Sequence, residues 1–389
     1  MIEPVAAYDA FTRAGVSFWT GVPDSLLKDL CGYVSDHVPG DRHVIAANEG
    51  GAVALAIGHY LATGTPAVVY LQNSGLGNTL NPIVSLASDA VYGIPMVLVV
   101  GWRGEPGTKD EPQHVNQGMV TESMLESAGI GYEVMDTDTH AAVAQIRAAV
   151  GRAVEQSTPV ALVVRAGTFA TYRYDAEHAP ESDLTREAAI TLVADSVGDD
   201  DVIVATTGKT SRELYEYRRT TEQPGDRDFL TVGGMGHASQ IALGVDLART
   251  DRDVWVFDGD GALVMHLGSL PVIAQHGSTR FRHIVFNNGV HDSVGGQPTP
   301  LDTASIPDLA RAAGYRHVAR ASSAAEVTEQ LAVLAAAKGP ALLEIVVRGG
   351  ARDDLGRPDT SPEHNKQRLM SSLGSGTKPH DGGPDRDDA

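Results

Sequence analysis

Along this chain, short runs of consecutive apolar residues alternate with longer, Ala-rich stretches of mixed polarity. The runs HVIAAN (43–48), PAVVYLQ (66–72), PMVLVVG (95–101), PVALVVR (159–165), DVIVATT (201–207), DVWVFDGD (253–260), HIVFNN (283–288) and PALLEIVVR (340–348) are rich in Val and Ile. Lacking a polar face, they read as strands buried on both sides. Helices are predicted at 3–14, 50–62, 141–156, 185–196, 237–249 and 323–337. Strands alternating with helices form βαβ crossovers, so the expected fold is α/β with doubly wound parallel sheets.

The alternation breaks at 170–184, ATYRYDAEHAPESDL, a polar stretch containing proline. It divides the chain into a first domain at 1–175 and a second at 185–350. Beyond 350 the chain turns polar. The segment 351–373 is expected to be lid-like, and the tail GSGTKPHDGGPDRDDA (374–389) holds too little apolar surface to order itself.

Composition narrows the classes of partner. Apolar residues make up 42% and charged residues 21%, the balance of a globular protein. A net charge of −20 argues against nucleic acid or an anionic membrane, which demand basic patches. A small anionic substrate stays open, since a pocket needs only a few local cations. The single cysteine, Cys31, excludes an intrachain disulfide and reads as a buried apolar residue. No apolar run approaches the ~18 residues of a membrane span. The start MIEPVAAYDAF lacks the regions of a signal peptide, so a cytoplasmic protein is expected.

Candidate chemistry concentrates where strands run into helices. In GDGALVMHLGSL (259–270), Gly259, Asp260 and Gly261 stand between a strand and a helix. Glycines there let the backbone approach a phosphate, and the helix start offers free N–H groups. Asp260 between them is suited to a divalent cation. A second strand ends in Asn287–Asn288, and neighbouring parallel strands bring such ends together. An Asp and an Asn converging on one ion, with carbonyl and phosphate oxygens, suit Mg²⁺. In NEGGAVALAIGHYLATG (48–64), Glu49 opens a helix, where it either favours the helix dipole or does chemistry.

The GDG–NN pair, with Glu49, resembles the signature of thiamine-diphosphate-dependent 2-oxo acid decarboxylases and synthases. That resemblance implies Asp260 and Asn288 as Mg²⁺ ligands with the Val290 carbonyl as a third, and Ala262 beside the cofactor. It also implies that Glu49 hydrogen-bonds N1′ of the aminopyrimidine. TVGGMGHASQIALGVDLA (231–248) is similar to the stretch that holds the pyrimidine, with Gly233 as a backbone contact and Met235 beneath the bent cofactor. TTGKTSREL (206–214) is similar to the second diphosphate turn, through Thr207 and Gly208, with Lys209 either on substrate or in solvent.

Glu49 and Asp260 stand too close in sequence for a third, central domain. That compactness, with GVPDSLLKDL, QNSGLGNTLNPIVSL, GWRGEPGTKDEPQHVNQG and NNGVHDSVGGQPT, resembles the phosphonopyruvate decarboxylase family, with sulfopyruvate decarboxylases as near relatives. The reaction implied is decarboxylation of 3-phosphonopyruvate to phosphonoacetaldehyde, in phosphonate biosynthesis. Alternatives are sulfopyruvate decarboxylation, an acetolactate-synthase-like carboligation, or a catalytically silent thiamine-binding protein. A nucleotide-binding Rossmann protein is disfavoured because no GxGxxG opens a helix after the first strand.

The resemblance also points to Asp24 and His114 as proton-handling or substrate-orienting groups. Asp24 reads equally as a helix N-cap, and His114 as a solvated loop residue. His291 and Ser293 follow the metal loop and are placed to face the reacting carbons. Ser25, Arg103, Lys109 and Arg352 are candidates for the substrate anion, which must be paired in a closed pocket. At least a homodimer is implied, with Glu49 of one subunit meeting the diphosphate site of another.

Overall fold

In a computed structural model describing residues 1–174, 180, 182–301 and 303–374, the apolar runs form the interior of two six-stranded parallel sheets. The first holds β1 (Phe18–Gly21), β2 (His43–Ile45), β3 (Ala67–Gln72), β4 (Met96–Gly101), β5 (Gly131–Val134) and β6 (Pro159–Val164), ordered β2-β1-β3-β4-β6-β5. The second holds β7 (Val202–Ala205), β8 (Asp228–Leu230), β9 (Val254–Gly259), β10 (Phe281–Asn287), β11 (His317–Ala321) and β12 (Ala341–Val346), ordered β8-β7-β9-β10-β12-β11. Counted from its own first strand, each sheet has the same order, so the two halves repeat one topology. Only a connection joins β6 to the helix Arg186–Ser196, and no third domain intervenes.

Helices cover both faces of each sheet, which is why the central strands carry no polar alternation. All six residues of β4 are buried, as are all six of β6 and β12. One face of the first sheet packs Trp19, Tyr70, Val99 and Leu162 against Phe11, Leu30 and Ile146. The other packs Val69, Leu71 and Leu98 against Val53 and Leu125. The second sheet repeats this with Phe257, Phe286 and Leu343 on one side and Val256, Val285 and Leu342 on the other. Each such side chain contributes ~1.5–3 kcal/mol by leaving water. Cys31 lies in the first core, where burial pushes its thiol pKa up. Among the described residues no helix is long and apolar enough to cross a membrane.

In both sheets the strand order reverses beside the first strand, between β1 and β3 and between β7 and β9. Loops leaving the carboxyl ends of those strands diverge there and open a crevice. Residues 21–27, 72–75, 206–209 and 259–262 all sit at these openings.

The expected lid behaves as two pieces. The helix Pro362–Ser372 is docked: Leu369 and Leu373 enter the second core, and Asn365 bonds the Leu230 N–H (3.1 Å) and the Asp228 carbonyl (2.8 Å). It covers the edge strand β8, whose backbone groups otherwise face solvent. The loop before it crosses to the first half, where Arg357 pairs with Glu111. Residues 375–389 of the expected disordered tail, and 175–179 and 181 of the linker, lie outside the described residues.

Candidate active site

β9 ends in Gly259, and Asp260 opens the short helix Asp260–Met265. The Asp260 carboxyl is buried and accepts the Thr299 hydroxyl (2.7 Å). Burial pushes its pKa up to about 6. The turn at Gly261 is closely covered: an added Cβ would stand 3.3 Å from the Met235 Cε and 3.4 Å from the His291 ring. Met235 and His291 are thereby shown to lean over the same turn.

From β10 the chain forms a hairpin closed by the Val290–Pro298 bridge, with the His291 N–H on the Gln297 carbonyl (2.7 Å). Thr299, at its far end, is thus brought back to Asp260. Asn288 is buried beside it, whereas Asn287 turns toward β12 and donates to Glu344 (2.7 Å). The His291 Nε2 is buried without a partner, and burial lowers the ring pKa to about 4.

Thr207 and Gly208 run from β7 into the helix Lys209–Thr220, and a Cβ on Gly208 would stand 3.6 Å from the Ser293 hydroxyl. Lys209 is partly exposed and pairs with Asp292 (3.0 Å). Asp292 also meets Arg186 (3.4 Å), itself paired with the buried Glu213, and accepts the Gly350 N–H (3.2 Å). The hairpin is therefore anchored on both flanks.

Glu49 begins the helix Glu49–Thr63, capped by the Asn48 side chain on the Gly51 N–H (2.9 Å). Its carboxyl lies over Gly75, is buried, and accepts from Asn78 (2.7 Å). Asn48 also donates to the Met265 carbonyl (3.3 Å), and a Cβ on Gly233 would meet Gln113 at 3.3 Å. The charge of Glu49 is felt by His266, four residues past Ala262. The resemblance puts the junction of Glu49 with the diphosphate site across a subunit contact; within one chain the two halves meet at these bonds.

A second cluster lies at the ends of β1 and β4. Asp24 is fully buried and caps the turn before the helix Lys28–His37, whose own N-cap is Leu27. Its Oδ2 caps the Leu26 and Leu27 N–H groups (2.8 and 3.2 Å), while its Oδ1 has no partner. Burial raises its pKa to about 6. The Arg103 guanidinium donates to Ser25 (2.9 Å) and grips Asp110 through two nitrogens (2.8 and 2.5 Å). His114, only 9% exposed, is not a solvated loop residue; its Nδ1 meets Asp110 at 3.0 Å.

Two of the expected anion contacts lie at the surface, in different surroundings. Arg352 is engaged by Glu187 (2.9 Å), Glu216 and Asp354 (3.0 Å), so its charge is already neutralised against the helices of the second half. Lys109 is exposed at a loop tip with no hydrogen bond or ion pair to any described residue, because the loop turns inward only at Asp110. Asp110, Asn78, Thr299 and Asp292 went unread in the sequence. Of these, Asp110 had a visible signal, standing four residues before His114.

Comparison with known proteins follows the same division. Residues 6–125 match the thiamine pyrophosphate enzyme N-terminal TPP binding domain, and residues 206–345 match the C-terminal TPP binding domain. The chain is 36% identical to a phosphonopyruvate decarboxylase of Streptomyces viridochromogenes, covering 98% of this chain and 99% of that one. It is also 36% identical to a phosphonopyruvate decarboxylase of Streptomyces hygroscopicus, over 97% and 98%. A sulfopyruvate decarboxylase of Methanosarcina acetivorans is 27% identical, over 93% and 95%. The chain belongs to the phosphonopyruvate decarboxylase family of thiamine pyrophosphate enzymes.

Proposed function

We propose that this protein is a carboxy-lyase converting 3-phosphonopyruvate to phosphonoacetaldehyde and CO₂ with thiamine diphosphate and Mg²⁺. The observation that carries the reading is the seam where Asn48, next to Glu49, bonds the helix opened by Asp260 (3.3 Å). It brings the helix that carries the buried Glu49 carboxylate against the helix that Asp260 opens.

The residues present fit both groups. Asp260 is a buried carboxyl with no cation against it, a costly state that a divalent ion relieves. Asp260, the Asn288 amide and the Val290 carbonyl would hold Mg²⁺, an all-oxygen set that suits it. Thr207, Gly208, Gly259, Gly261 and Ala262 would line the diphosphate, and Gly233 and Met235 the pyrimidine. Bound thiamine diphosphate supplies a carbon nucleophile and a sink for the electron pair left by CO₂.

The chain's own groups do the rest. Glu49 would hold a proton toward the aminopyrimidine of the cofactor through Oε1, the oxygen that Asn78 leaves free. Arg103 and Ser25 face the substrate anion. Asp24, with Oδ1 unpartnered and a pKa near 6, and His114 and His291, kept neutral by burial, hold and deliver protons. Comparing kcat/KM for 3-phosphonopyruvate, sulfopyruvate and pyruvate, with CO₂ release followed, tests the reading. The phosphonate should lead by about tenfold or more, a difference of ~1.4 kcal/mol in transition-state stabilisation. A lead for sulfopyruvate reassigns the substrate, and no CO₂ from any of the three overturns the activity.

The protein is read as a homo-oligomer of at least two chains. Large apolar side chains stand exposed on several helices, Leu61 at 71%, Leu247 at 58% and Met119 at 56%, with Tyr92 at 69% in a turn. Light scattering should return at least twice the 40.9 kDa of one chain, and a monomer mass would refute this.

A further inference from the structure

No reading of the sequence gave Asp110 a part, yet it is the most heavily bonded carboxylate of the first half. Its Oδ2 accepts from the Arg103 Nε (2.8 Å) and the Gly104 N–H (2.8 Å). Its Oδ1 accepts from the Arg103 Nη2 (2.5 Å), the Glu111 N–H (2.7 Å) and the His114 Nδ1 (3.0 Å). The guanidinium is the first cause holding its pKa well below the usual carboxylate range. An ionised carboxylate only accepts hydrogen bonds, so the nitrogen of His114 that meets it must carry a proton. That leaves Nε2, which bonds no described residue, with the lone pair.

The backbone around Asp110 is built to close tolerances. Gly104 has φ +69° and lies so close to the His114 carbonyl that no Cβ fits. The Trp102 indole donates to the Gly118 carbonyl (2.9 Å), and Asn73 takes both the Arg103 carbonyl (2.8 Å) and its N–H (3.2 Å). These contacts pin the loop. None of them orients the two side chains that face the crevice; Asp110 alone among the described residues touches both.

We propose that Asp110 is a positioning residue of the decarboxylation: it fixes His114 as the Nδ1–H tautomer with Nε2 as the working atom, and clamps Arg103 toward Ser25 and Asp24. This rests on the roles assigned above to His114 and Arg103. The charges facing His114 are Asp110 and Glu111 on its own element and Arg103 from the loop after β4, with Asp24 behind Arg103. Glu111 is held by Arg357 from the C-terminal loop. Of these, Asp110 is the one bonded to the ring, and it favours the charged form that burial disfavours.

Asp110→Asn keeps the shape and removes the charge. One of the two oxygen positions becomes an N–H₂, which loses either the Arg103 Nε and Gly104 donors of Oδ2 or the Arg103 Nη2, Glu111 and His114 donors of Oδ1, and the remaining oxygen carries no full charge. The expected result is a loss in kcat of about 10²-fold with a several-fold rise in KM, as both groups drift from their working geometry. The His114 titration should move to lower pH, read by ¹⁵N NMR of the histidine-labelled holoenzyme and assigned by its absence in His114→Gln. Unchanged kcat together with an unmoved titration overturns the proposal. The wild-type spectrum at pH 8 supplies a test that needs no folded variant: it should report Nδ1 protonated, and an Nε2–H tautomer sinks the idea. Failure of the proposed activity would appear instead as no CO₂ from wild type, whatever the tautomer.

Discussion

Glu49→Gln is expected to lower kcat by roughly 10²–10⁴-fold, the range for loss of a positioned proton-transfer group, while cofactor retention stays nearly unchanged. The substitution preserves shape. Asn48 still caps the helix, the glutamine oxygen still accepts from Asn78, and the close pass over Gly75 is the same. What disappears is a carboxylate able to share a proton with N1′. On the proposed reading the diphosphate end would be held on the other side of the seam, around Asp260 and Gly208, which Glu49 does not touch. Activity and binding should therefore separate: CO₂ release collapses, and thiamine content after desalting matches wild type. An active Glu49→Gln enzyme would remove Glu49 from the chemistry. Equal loss of cofactor and activity would make Glu49 a structural residue.

How much of this was legible in the sequence follows from where each residue's partners come from. Central parallel strands announce themselves, since β4, β6 and β12 are buried along their whole length. The unread strands β5, β8 and β11 are edge strands, half in solvent and short, so no apolar run marks them. β1 is central but only four residues long. The helix Lys209–Thr220 was hidden because its inner face buries Glu213 and Glu216 alongside Leu214, leaving no apolar stripe to read. Candidate residues that stand where a strand turns into a helix, such as Glu49, Asp260 and Gly208, are local features and could be read from the sequence. Asp292 was not, because its cations Arg186 and Lys209 arrive from far along the chain. The partners of Arg352 were hidden for the same reason: the sequence shows a cation and conceals the carboxylates of Glu187 and Glu216 that engage it.

Asp260→Asn should lower turnover about 10³-fold and yet stabilise the metal-free protein. Burial lifts the Asp260 pKa from 3.8 to about 6. Between those values the folded protein binds a proton that the unfolded chain has released. The carboxyl's contribution to stability is therefore fully present below about pH 4 and is lost as pH rises through about 6. Above that, the shift of about two units corresponds to a cost of ~2–3 kcal/mol to the folded state. Asparagine has no charge to bury, and its amide oxygen still accepts from Thr299. Metal-free Asp260→Asn should thus unfold a few degrees higher than wild type at pH 8, with the gap closing by pH 4. Mg²⁺ with thiamine diphosphate reverses the order. Wild type gains the free energy of binding, whereas an amide that cannot neutralise a divalent ion gains little. Losing ~4 kcal/mol of that interaction at the reacting site corresponds to about 10³-fold in rate. The check is one set of thermal melts at pH 4 and pH 8, with and without the metal and cofactor. If the two proteins gain equally from Mg²⁺ and thiamine diphosphate, Asp260 is not the metal's carboxylate, and the diphosphate must be anchored elsewhere.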